Sequence, residues 1–323
     1  MYKVYDNWPE ISKNAYNQDI KSTTFSDIDH IVFAGMGGSG AIGDIFSSIL
    51  SKENIHVYVT KGYSLPKTVD SNTLVVVTSI TGNTIETLTV LESAKKTKCK
   101  IIVFSSGGKI EEYCNKYNIE YRKIHQIHSP RASFTSFLYS MLKVLRPILP
   151  LEKNDIVESL TSLEKTNTII SSHNLNQNNI SLELAKWIIN IPVIYYPAGL
   201  QAASIRFKNS LQENVKMHAM TEDVIEACHN GIVSWETPSN VQPILLRGKD
   251  DHIKTKERWE ILKEFYRINQ IEYKEIFSME GSILSKLINL IYVLDYATIY
   301  KAILSEIDPS PVYSIDFIKN KLK

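Results

Sequence analysis

Three cysteines in 323 residues, Cys99, Cys114 and Cys228, are too scattered and odd in number for a disulfide framework. They show no zinc spacing either. Charge of one sign is also missing. Lys plus Arg is 36 and Asp plus Glu is 35, a net charge near +1. That excludes nucleic acid or an anionic membrane as the main partner. No clean membrane-length apolar run is present. The greasiest region, Ile283 to Leu304, carries Lys286, Asp295 and Lys301 and predicts a buried helix. Met1 to Glu10 lacks the apolar core of a signal peptide, so a cytoplasmic location is expected. What remains, 43% hydrophobic and 22% charged, is an ordinary globular composition. Its length favours two domains.

The richest stretch runs from Leu74 to Glu86. Leu74 to Val77 is an unbroken apolar run, as in a strand buried on both faces. Thr78, Ser79, Thr81, Gly82, Asn83 and Thr84 follow, hydroxyls clustered around one glycine. Ile85, Leu88 and Leu91 then recur at helical spacing, with Glu86 and Glu92 on the polar side. Strand, turn and helix N-terminus present backbone N–H groups and a positive dipole end to an anion such as phosphate. The plainer reading is a helix capped by Asn83 or Thr84. One cap needs one such group, and this turn offers a surplus.

Strand and helix patterns alternate through the first 120 or so residues. His30–Ala34, 55–59, Leu74–Val77, Lys100–Ser105 and 119–123 read as strands. This predicts a doubly wound parallel sheet, with ligands beyond the carboxyl ends of strands. Pro147, Pro150 and Glu152 to Asp155 mark a boundary, giving domains 1–152 and 153–323. The second half repeats the grammar, with strands at 191–196, 241–247 and 271–277. Its turns are poorer in glycine and hydroxyls, so phosphate binding belongs to the first half. A helix running to about Met217 is expected to leave off and re-enter another near Val224.

Gly35, Gly37 and Gly40 fit the dinucleotide pattern G-x-G-x-x-G after a strand. That reading needs an acidic residue at the end of the next strand, where Val59-Thr60-Lys61 stands instead. A compact sugar phosphate fits better. Gly35-Met-Gly-Gly-Ser-Gly40 together with Ser79-x-Thr-Gly-Asn-Thr84 resembles the sugar isomerase (SIS) domain. Its usual second loop is Ser-Tyr-Ser-Gly-Asn-Thr, so Ile80 and Thr81 depart from it. Ser129-Pro-Arg131, Lys208 to Lys216, Glu226-x-x-His229-Asn230 and Asp308-Pro-Ser-Pro-Val312 with Lys319 extend the series. The whole resembles the archaeal bifunctional phosphoglucose/phosphomannose isomerase family, built from two SIS-type αβα domains.

That resemblance implies an aldose–ketose isomerase joining glucose 6-phosphate and mannose 6-phosphate to fructose 6-phosphate. The chemistry needs a held phosphate, an opened ring, a proton moved between C2 and C1, and a stabilised enediolate. Ser39, Ser79, Thr81 and Thr84, with Gly38 beside them, can hold the phosphate. The resemblance assigns the base to Glu213. At a 3.6 period, Arg206, Ser210, Glu213 and Met217 share one helix face, which sets the carboxylate beside a cation. His229 suits ring opening, since imidazole titrates near neutrality. Lys319 assists it, with Lys321 and Lys323 close by, and Arg131 stabilises the enediolate. Each has a plainer reading: Glu213 or Lys319 as a solvated charge, His229 as a packed residue, Arg131 as a cap. His229 has no companion at metal spacing, so neither metal nor cofactor is expected. The resemblance further implies a homodimer with His229 acting in trans. Another SIS sugar-phosphate isomerase, or a non-catalytic sugar-phosphate sensor, stands as the alternative.

Overall fold

The computed structural model describes residues 1–322. Among them nine strands form two all-parallel sheets, and the chain divides into two units. One comprises Asp6–Glu164 with Gly281–Leu287. The other comprises Met1–Tyr5, Lys165–Glu280 and the chain from Ile288 onward.

The first unit holds β1 (His30–Ala34), β2 (His56–Thr60), β3 (Thr73–Ser79), β4 (Lys100–Ser105) and β5 (Glu120–Lys123). Their order is β2-β1-β3-β4-β5. β1 pairs with β3 in register, Ala34 opposite Val77, and Ser79 lies opposite Ser105. Every residue of β3 is buried, as its apolar run predicts. Helices α3 (Gly37–Leu50), α4 (Ile85–Lys95), α5 (Gly108–Tyr117) and α6 (Phe134–Leu145) follow β1, β3, β4 and β5. They are preceded by α1 (Tyr2–Asp6) and α2 (Trp8–Asn17). Val90, Leu91 and Ala94 of α4 and Ile110 and Cys114 of α5 pack on Val32, Val75, Val77 and Val103 of the sheet. Ile85 is exposed, so the buried face of α4 is Thr87, Val90, Leu91 and Ala94, offset from the predicted stripe.

After α7 (Lys153–Ile170) and α8 (Ile180–Trp187), the second unit has β6 (Ile191–Tyr196), β7 (Met220–Asp223), β8 (Val241–Arg247) and β9 (Lys274–Phe277), in the order β7-β6-β8-β9. α9 (Gln201–Ser210), α10 (Val224–Ala227), α11 (Ile253–Ile268), α12 (Ile283–Leu304) and α13 (Tyr313–Lys321) complete the described chain. β7 was not expected. It is a polar four-residue strand at the sheet's edge, paired with β6. Trp259, Leu262 and Tyr266 of α11 pack on Tyr195, Leu245 and Val224. α12 is the single described helix long and apolar enough to cross a membrane, and it is largely buried. Its Tyr292 donates to the Tyr5 carbonyl at 2.6 Å, and the Tyr296 ring meets that of Tyr5 edge-on at 6.0 Å.

Candidate active site

In the first sheet the chain leaves β1 toward β2 on one side and β3 toward β4 on the other. Such a switch point opens a crevice at the carboxyl ends of the two central strands. Both predicted loops emerge there. α3 begins at Gly37, so Gly38, Ser39 and Gly40 form its first turn. A Cβ on Gly40 would stand 2.8 Å from the Gly35 carbonyl oxygen, so only glycine fits. The Ile80 N–H donates to Ser39 Oγ at 3.3 Å and ties one loop to the other.

Ser79, 1% exposed, ends β3 and donates to Thr84 Oγ1 at 3.2 Å. Thr81 Oγ1 accepts the Asn83 N–H at 3.4 Å. Gly82 turns the chain with φ +71°, and a Cβ there would collide with the Gly107 carbonyl oxygen at 1.6 Å. Thr84 occupies the N-cap position of α4, yet makes no side-chain cap bond. Asn83 Oδ1 instead accepts the Lys109 N–H of α5 at 3.1 Å. The cap reading therefore fails. The first turns of α3 and α4 both lack a side-chain cap, which suits an anion bridging two helix N-termini. Arg131, 5% exposed, lies in the same unit on the turn before α6. Ser133 Oγ accepts the Ile127 N–H at 2.7 Å and bonds the Ser129 carbonyl at 2.9 Å, closing that turn.

Glu213, His229 and Lys319 belong to the other unit. α9 runs into one π-helical turn, Leu211–Val215, closed by Lys216 at φ 61°. π turns hold one extra residue and recur at functional sites. The extra residue changes the predicted face. Arg206 and Ser210 are followed in line by Asn214, and all three bond to α12. Glu213, half-buried, stands beside that row. Burial works against the charge on Arg206. Asp295, Tyr5 and Glu213 outweigh it and raise the pKa of the guanidinium. Lys216 Nζ donates to the Glu213 carbonyl at 2.5 Å and to the Pro311 carbonyl at 2.7 Å. It thus joins the Glu-Asn-x-Lys stretch to Asp308-Pro-Ser-Pro.

His229 is exposed just after α10, where Asn230 Nδ2 donates to Glu226 Oε1 at 2.7 Å. Burial first, then Glu226 and Asp223, push the nearby Glu222 carboxyl up. β6 and β7 are parallel, so the chain crosses back between them through α9 and the π turn. Glu213 therefore lies before the start of β7 and His229 beyond its end. Lys319 is exposed on α13, all of whose described side chains are at least partly in solvent.

The SIS domain family matches residues 24–145, and the bacterial phospho-glucose isomerase C-terminal SIS domain matches residues 177–322. The bifunctional phosphoglucose/phosphomannose isomerase of Caldicellulosiruptor bescii is 32% identical, covering 100% of this chain and 98% of that protein. The chain belongs to the bifunctional phosphoglucose/phosphomannose isomerase family. The protein of the same description from Thermoplasma acidophilum is 29% identical over 95% of this chain and 93% of its own. The C-terminal domain of glucosamine-fructose-6-phosphate aminotransferase from Francisella tularensis shares the fold at TM-score 0.72 and 16% identity, covering 96% of this chain and 97% of that one.

The pairing of α12 with this family's motifs was not foreseen, although Asp295 was noted as a charge in an apolar run. Asp295 and Thr298 sit in the apolar stretch of α12, and a lone acid in such a run was the available signal. The second sheet also has a cleft of about 640 Å³, lined by Arg247, Lys249, Lys256, Glu260, Phe277 and Glu280. Arg247 pairs with Glu275 and Glu260, and Lys249 with Glu280 at 3.3 Å. Arg247 and Lys249 are thus already engaged by carboxylates. Among the described residues, no group of three or more His, Cys, Asp or Glu side chains is placed to hold a metal ion.

Proposed function

We propose that this chain interconverts glucose 6-phosphate and mannose 6-phosphate with fructose 6-phosphate, as a cytoplasmic homodimer. The observation that carries the reading is the Ser39–Ile80 bond joining two hydroxyl loops at a switch point. Membership of a family whose relatives bear that name supports it. The phosphate sits among Gly38, Ser39, Ser79, Thr81 and Thr84, in an N-terminal SIS domain, 1–152. The base and the C-terminal helix belong to a second, 153–323. His229, assisted by Lys319, shuttles the proton of the anomeric hydroxyl to O5 as the bond between O5 and the anomeric carbon breaks and the carbonyl forms. Glu213 takes the C2 proton and returns it to C1. Arg131 offsets the charge of the cis-enediolate between those steps.

Glu213 precedes β7 in the chain and His229 follows it, with the roughly 10 Å of that strand between them along the chain. In a two-fold dimer each chain lends His229 to its neighbour.

The test incubates purified protein with fructose 6-phosphate and EDTA and resolves the sugars by chromatography. Glucose and mannose 6-phosphates should both form, since a carboxylate base needs no metal. Glu213→Gln should lower kcat by roughly 100-fold with KM nearly unchanged. Binding without turnover in the wild type would make the protein a sensor. Full activity in Glu213→Gln would take that residue out of the mechanism.

A further inference from the structure

We propose that Asp295 is a positioning residue for Glu213, anchoring the turn that carries it and taking up the guanidinium charge beside it. The inference rests on Glu213 being the catalytic base. Asp295 lies mid-way along α12 with no exposed surface. A carboxylate so placed persists only where partners offset its desolvation. Its side-chain partners come from the helix leading into Glu213. Arg206 donates to Oδ2 through Nε at 3.0 Å and Nη2 at 2.7 Å, and Ser210 Oγ donates to Oδ1 at 2.7 Å. Thr298, one turn along α12, accepts from Asn214 Nδ2 at 2.8 Å and donates to the Asp295 carbonyl at 2.7 Å.

Residues 206, 210 and 214 are therefore pinned to two side chains of one buried helix. This row holds the extra residue of the π turn in place. Relaxation to regular α-helix would rewind the turn that contains Glu213, displacing side chains beyond the extra residue by about 100°, one residue's turn, and re-aiming Glu213 within it.

Charge is the second part. The Arg206 guanidinium lies close enough to Glu213 for the two to interact. Asp295 gives it a counter-ion of its own. Other charged or titratable groups here include Tyr5 of α1, against Arg206, and Lys216, bonded to the carbonyls of Glu213 and Pro311, with Asp308 and the N-terminal amine nearby. Asp295 differs from them in that one carboxylate bonds both the guanidinium and the Ser210 hydroxyl.

The experiment measures kcat, KM and the kcat–pH profile of full-length variants on fructose 6-phosphate. Folded fraction is checked by circular dichroism and gel filtration. Asp295→Asn should lower kcat by roughly 30-fold with KM within about threefold, the mark of a lost transition-state arrangement. Its acidic limb should move to lower pH, because an uncompensated guanidinium favours the carboxylate of Glu213. Thr298→Val should lower kcat by roughly 5-fold without moving the limb, and Thr298→Ser should restore it. Wild-type kcat per folded molecule and an unmoved limb in Asp295→Asn would overturn the proposal. If that variant does not fold, the Thr298 pair decides, and wild-type kcat in Thr298→Val overturns it. A wild type that leaves fructose 6-phosphate unchanged would instead sink the functional reading, and this inference with it.

Discussion

Ser79 and Thr84 bond to each other at 3.2 Å, so the two hydroxyls form one unit. Replacing either by Ala should raise KM for glucose 6-phosphate by at least about 10-fold, each charge-assisted bond being worth roughly 1.5–3 kcal/mol. The double variant should cost less than the sum, since each single change already disturbs the other hydroxyl. Steady-state kinetics of the four proteins read this directly. Strict additivity, or equal turnover of free glucose, would contradict it. Their crowding in a short turn was legible in the sequence, because a cap uses fewer hydroxyls. The pairings of Asp295 and Thr298 were not. Their partners Ser210 and Asn214 lie 85 and 84 positions away, and no local pattern links such residues.

The central strands β1, β3 and β4 were legible as apolar runs, because a strand covered on both faces needs little else. β7 was not. Met220-Thr-Glu-Asp223 has no apolar run, and it pairs with β6 at the sheet's edge. The π turn was hidden for a related reason: a regular period predicted Glu213 in line with Ser210, and bonds to α12 select Asn214 instead. The start of α12 offers a test of its own. Glu158 of α7 accepts the Ser282 N–H and the Ser285 hydroxyl, each at 3.0 Å. The Ser282 N–H is the main cause holding this carboxyl below its ordinary 4.5, with the serine hydroxyls and Lys286 adding to it. A depressed carboxylate pKa contributes stability above the unfolded value and loses it as pH falls through the folded one. Glu158→Gln should therefore lower Tm at pH 7, and the gap to wild type should close well below pH 4.5. Melting curves across that range decide it. A gap independent of pH would mean that the carboxylate's charge does not matter there.

For the whole molecule, two parallel sheets were foreseeable from the repeated strand–turn–helix grammar. Whether and how copies of the chain associate leaves no period in a sequence. The sharpest test mixes two inactive variants, Glu213→Gln and His229→Ala, after reversible dissociation. If His229 acts in trans, mixed dimers carry one intact site and part of the activity returns. Continued inactivity, with heterodimers seen by mass spectrometry, would place both residues in one subunit. The contact between Tyr5 and Tyr292 has a bearing of another kind, on the order of events at the ribosome. These partners are 287 residues apart. At roughly 5–20 residues per second, Tyr5 emerges about a quarter of a minute to a minute before Tyr292 is made. The first sheet can be complete while the second unit still lacks α12. Until that helix arrives, Tyr5 and Arg206 wait without their α12 partners, within reach of chaperones and proteases.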